Sequence, residues 1–94
     1  MLYRVDLSPR AISDLDWIDP DFGQAAQLEE AILSLETMPE RCAVVPALCS
    51  QHRSVRQLFF GEGRHVYRVY FEIVGNVVNV IHVRHGARRQ LKRL

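Results

Sequence analysis

The strongest constraint on the fold lies in residues 54–88, SVRQLFFGEGRHVYRVYFEIVGNVVNVIHVRHGAR. β-Branched and aromatic residues crowd three runs there, split by two glycine turns, and that composition favours strands. Val55–Phe60 is the first run and Gly61-Glu62-Gly63 ends it. His65–Val74 is the second, followed by Gly75-Asn76, two residues that tolerate positive φ in a hairpin turn. Val77–Arg84 is the third. Connections this short force neighbouring strands to be antiparallel, so the segment predicts a meander.

Alternation assigns the faces. His65, Tyr67, Val69, Phe71 and Ile73 fall on one side of the second strand, and Val66, Arg68, Tyr70 and Glu72 on the other. The first set is mostly apolar and is expected to meet the helices, because a one-residue slip would bury Arg68 and Glu72. In the third strand Val77, Ile81 and Val83 make the better core set, which puts His82 and Arg84 on the open face with Arg68 and Tyr70. The first strand is apolar in both parities, and Arg56 is assigned to the open face. The expected surface therefore presents Arg56, Arg68, Tyr70, His82 and Arg84.

Charge separates along the chain. Residues 1–50 hold three arginines against nine acids, a net of −6, whereas residues 51–94 hold nine Lys/Arg against two acids, a net of +7. A basic sheet and tail point to a polyanion or an acidic protein partner. Eleven of the twelve cations are arginine, whose planar fork suits phosphate or carboxylate. No apolar run is long enough to cross a membrane and no signal peptide opens the chain, so a cytoplasmic protein is expected.

Before the meander, Leu2–Leu7 alternates as an amphipathic strand. Ser8-Pro9 then reads as an N-cap followed by proline at the first helical position. Ala11, Ile12, Leu15 and Ile18 form the apolar stripe of a first helix, with Asp14, Asp16 and Asp19 pointing elsewhere. Asp21 is the candidate N-cap of a second helix, with Gln24 as capping-box partner, and Ala25, Leu28, Ile32 and Leu35 form its seam. The short link between the helices predicts a hairpin packed on the sheet. Glu40–Arg53 reads as a loop. Its Cys42 and Cys49 lack the close pairing and fourth ligand of a metal site, so they read as loop-packing residues and no metal or cofactor is expected. Residues 86–94 form a basic tail. The expected fold is α+β, one domain over residues 1–94 in the order β-α-α-β-β-β, with an antiparallel sheet and an N-terminal helical hairpin on one face.

The order of elements, with VRQLFFGEGRHVYRVYFEI and VVNVIHVRHGAR in the meander, SPRAISDL near the start and LETMPERC after the second helix, resembles the RelE/ParE toxin superfamily of bacterial type II toxin–antitoxin systems. The wording is similar to its ParE-type, plasmid-stabilisation branch. That resemblance implies a toxin that arrests growth and a cognate antitoxin that wraps and silences it. It implies one of two targets: DNA gyrase for ParE-like members, or messenger RNA cut in the ribosomal A site for RelE-like members. A non-toxic DNA- or protein-binding module is a further alternative.

In the RelE-like case the resemblance places catalysis on Arg56, on Arg68 and on an arginine matching Arg84 or Arg88. The chain departs from RelE itself in lacking paired lysines around Arg56 and any tyrosine after Tyr70. Cleavage of RNA needs a base, an acid and cations at the scissile phosphate. His82, which titrates near neutrality, is the candidate acid or base, with Arg56, Arg68 and Arg84 as the cations. Tyr70, His85, Arg88 and Arg89 are candidates for binding the target or nucleic acid. Structural roles compete: Arg68 pairing with Glu72 or with an aspartate of the first helix, and His82 or His65 as sheet residues with satisfied bonds.

Overall fold

The computed structural model describes residues 2–18, 23–63 and 65–86. Its strands are β1 (Arg4–Leu7), β2 (Ala43–Val44), β3 (Val55–Glu62), β4 (His65–Val74) and β5 (Val77–His85), and its helices are α1 (Pro9–Asp16) and α2 (Ala25–Leu33). They form one five-stranded sheet in the order β1-β5-β4-β3-β2. The meander β3-β4-β5 is antiparallel, as its short turns require.

The sheet as a whole is mixed, which corrects the antiparallel expectation. β1 pairs with β5 in parallel, Arg4 opposite Val77 and Leu7 opposite Val80. β1 reaches the meander through two helices, so no hairpin turn dictates its direction. The stretch expected to be a loop contributes β2, whose Ala43 and Val44 pair with Gln57 and Arg56 at the far edge. The first meander strand also runs two residues further than its apolar stretch, to Glu62, which pairs with His65. Gly61 permits this with φ +103°, and a Cβ there would lie 2.0 Å from the His65 carbonyl oxygen.

α1 begins as Ser8-Pro9 dictates. The Ser8 hydroxyl accepts from Ala11 N–H at 3.1 Å and donates to the Ile81 carbonyl at 2.7 Å, so the cap also fastens the helix to β5. α1 packs on β5 and β1, and α2 packs on β3. Both lie over the same sheet face. Ala11, Leu28, Ile32 and Leu35 meet Tyr67, Val69, Phe71, Val78, Val80 and Val83 there in the main core. Two members of the expected stripes lie outside it: Ile12 is half exposed and Ala25 is exposed. The expected cap Asp21 lies outside the described residues, and Gln24 occupies the N-cap of α2 without a side-chain cap bond.

A bulge resolves the faces of β5. Tyr70 lies opposite His82 while Phe71 lies opposite Val80, leaving Ile81 as the extra residue. Val78 and Val80 therefore join Val83 in the main core, in place of the expected Val77 and Ile81. Ile81 packs on the other side of the sheet, against Val45, Leu48, Val55 and Tyr70. That second, smaller core is built by the chain around β2, so part of the face expected to be open is covered, and Tyr70, expected there, is fully buried.

Candidate functional site

Two neighbouring rungs cross the second face of the sheet. In one, Gln57, Tyr70 and His82 stand side by side on β3, β4 and β5; in the next stand Phe59, Arg68 and Arg84. The register places Arg68 directly opposite Arg84, an arrangement of like charges that destabilises a strand pair. The Arg68 guanidinium lies over the exposed Phe59 ring, 5.0 Å from its centroid, a cation–π contact. Tyr70 is fully buried and stacks on the His82 ring at 6.1 Å between centroids.

α1 reaches the same rung from the β5 edge. The Asp14 carboxylate accepts from Val83 N–H at 2.9 Å and lies 2.5 Å from Nδ1 of His82, while Nη2 of Arg10 lies 3.3 Å from Nε2. An arginine only donates, so Nε2 is the acceptor and Nδ1 carries the proton that Asp14 receives. His82 is thus engaged at both nitrogens, with only 8% of its surface exposed. Three polar atoms of this face are buried without a hydrogen-bond partner among the described residues: Tyr70 Oη, Gln57 Oε1 and Arg84 Nε.

The family model described as "ParE toxin of type II toxin-antitoxin system, parDE" matches residues 5–90. The chain belongs to the ParE toxin family. Among curated proteins no sequence matches. Solved structures share the fold. The archaeal RelE–RelB complex from Pyrococcus horikoshii OT3 is similar at 17% identity and a TM-score of 0.67, covering 95% of this chain and 100% of that one. The intact E. coli RelBE toxin–antitoxin complex is similar at 18% identity and 0.63, covering 92% and 99%. The chromosomal ParDE system from P. aeruginosa is similar at 17% and 0.60, covering 89% and 96%.

Within this ParE-family fold the expected constellation is only partly assembled. Arg68, Tyr70, His82 and Arg84 share a face as alternation requires. Arg56 does not: it lies opposite Phe71, on the helix side, and its Nη1 donates to the carbonyls of Glu40 at 3.1 Å and Cys42 at 2.7 Å. This corrects its assignment to the open face. His85 also lies on the helix side, its ring edge-on to Tyr67 at 5.1 Å. Arg88 and Arg89 lie outside the described residues. Glu72 pairs with Arg53 at 2.9 Å rather than with Arg68.

Four residues of the face were missed: Arg10, Asp14, Gln57 and Phe59. Burial pushes the Cys42 thiol above its ordinary range, keeping it protonated and a poor ligand or nucleophile. Cys49 is a local strut, its Sγ accepting from Val55 N–H at 3.3 Å. Among the described residues no group of His, Cys, Asp and Glu has metal-binding geometry, and no helix is long and apolar enough to cross a membrane.

Proposed function

We propose that this ParE-family toxin arrests bacterial growth by binding DNA gyrase in the cytoplasm, and that a cognate antitoxin holds it silent until released. The observation that carries this reading is the engagement of the groups that cleavage would need. The histidine that would move protons is nearly buried and bonded at both ring nitrogens, and Arg56 is spent on two backbone carbonyls across the sheet. What the second face offers instead is a fixed surface of Phe59, Arg68 and Arg84. A gyrase inhibitor needs such a surface and no proton transfer. The antitoxin reading is supported by solved relatives that are themselves toxin–antitoxin complexes.

The test is a supercoiling reaction with relaxed plasmid, gyrase, ATP and antitoxin-free protein. Supercoiling is expected to stop in proportion to added toxin. Undisturbed supercoiling, together with messenger RNA cut at the ribosomal A site in a translation reaction, would replace this reading with the RelE-like one.

A further inference from the structure

We infer that Met38 is an anchor point for the antitoxin on the helix side of the fold, and that the antitoxin segment seated there is apolar and basic. Met38 holds φ +48° and ψ +55°, a left-handed conformation that side chains other than Asn and Asp seldom adopt. Among the described residues it is the only non-glycine with positive φ. The turn itself is needed, since it leads the chain from the short helical turn Ser34–Glu36 into the buried Pro39. Arg41 fastens it: Nη1 donates to the carbonyls of Thr37 at 2.6 Å and Met38 at 3.1 Å, and Nη2 to the Ser34 hydroxyl at 3.0 Å. None of these bonds involves the Met38 side chain, so glycine would make the same turn without steric cost. Methionine instead holds out a side chain that belongs to neither core, the residue being 67% exposed. A strained position whose side chain does nothing inside the chain points to a contact outside it.

The surroundings say what kind of contact. Tyr3 is tied to this segment twice, its N–H donating to the Glu36 carbonyl at 2.8 Å and its hydroxyl to the Glu40 carboxylate. Leu2 before it and Leu33 before the helical turn are also largely exposed, so three large apolar side chains come from segments that meet at Tyr3. Methionine suits such a surface because its flexible, polarisable side chain adapts to a partner. The charge around it is acidic. Residues 25–41 hold Glu29, Glu30, Glu36 and Glu40 against Arg41 alone, a net of −3, and Arg41 is the clasp of the turn. That field repels phosphate and favours a protein segment carrying Lys or Arg beside its apolar residues.

This inference rests on the antitoxin reading for its occupant. The partner used is the protein encoded by the reading frame beside the toxin, titrated calorimetrically into wild-type and Met38→Gly toxin, with thermal unfolding measured alongside. Met38→Gly is expected to weaken the complex roughly tenfold or more, as loss of an interface anchor does. It is also expected to raise the melting temperature by about 4 °C through relief of the left-handed strain, and to leave growth arrest without antitoxin unchanged. In the wild-type proteins, peroxide is expected to convert Met38 to its sulfoxide in free toxin and to spare it in the complex. Glu30→Lys is expected to weaken binding, and a tighter complex would overturn the basic character of the occupant. Unchanged affinity of Met38→Gly, a lowered melting temperature, or equal oxidation of Met38 in the free and bound toxin would overturn the anchor. The oxidation measurement needs no variant, so it decides even where a substituted protein fails to fold. Absence of any complex with wild-type toxin would instead withdraw the antitoxin reading itself.

Discussion

Asp14→Ala is expected to destabilise the protein by about 2–4 kcal/mol, a large share of the 5–15 kcal/mol that holds a typical domain together. One carboxylate accepts from two donors of β5, the Val83 backbone N–H and the His82 ring, immediately after the bulge at Ile81. Truncation leaves a buried backbone donor and a buried imidazole N–H without acceptors, and each such group costs more than the bond it loses. It also loosens α1 where β1 no longer flanks β5, since the β1–β5 pairing stops at Val80. Asp14→Asn retains one acceptor oxygen and should lose about half as much. Urea unfolding of the three proteins measures this directly. A loss below about 0.5 kcal/mol for Asp14→Ala would mean that burial of Ala11 and the Ser8 cap hold the helix unaided.

Asp14 also shows where a linear reading stops. The meander was legible because strand period, turn residues and connection length agree along thirty-odd contiguous positions, and the face of β4 followed from its single clean alternation. β3 and β5 resisted because they are apolar in both parities. The structure supplies the reason: one face meets the helices and the other meets Val45 and Leu48, so Val55 and Ile81 are as much core as Leu58 and Val80. Double-sided apolarity was itself the signal for a second cover, and the segment holding Pro46 and both cysteines was the material available for it. The bulge carries no local mark, since Val80 and Ile81 differ by one methylene. The direction of β1 and the arrival of Arg10 and Asp14 beside His82 are matters of topology, joining positions some seventy residues apart. Alternation cannot report such pairs.

The same distinction between faces governs the largest functional effect. Arg68→Ala is expected to abolish growth arrest, while Arg56→Gln is expected to leave it in place. Arg68 stands at the centre of the second face, between Phe59 on β3 and Arg84 on β5, with its guanidinium over the Phe59 ring. A central arginine at a protein interface commonly carries 2 kcal/mol or more, roughly thirtyfold in affinity, and gyrase inhibition would fall by that factor or vanish. Arg56 contributes to the opposite face by tying the Glu40 and Cys42 carbonyls to β3, and glutamine keeps a donor for one of them. Its loss should appear as modest destabilisation. Induction of each variant without antitoxin, scored by colony formation, separates the outcomes once circular dichroism has verified folding. Full toxicity of folded Arg68→Ala would remove the second face from the working surface. Loss of toxicity in a folded Arg56→Gln protein would move that surface to the helix side, where His85 and Tyr67 meet at the end of the sheet.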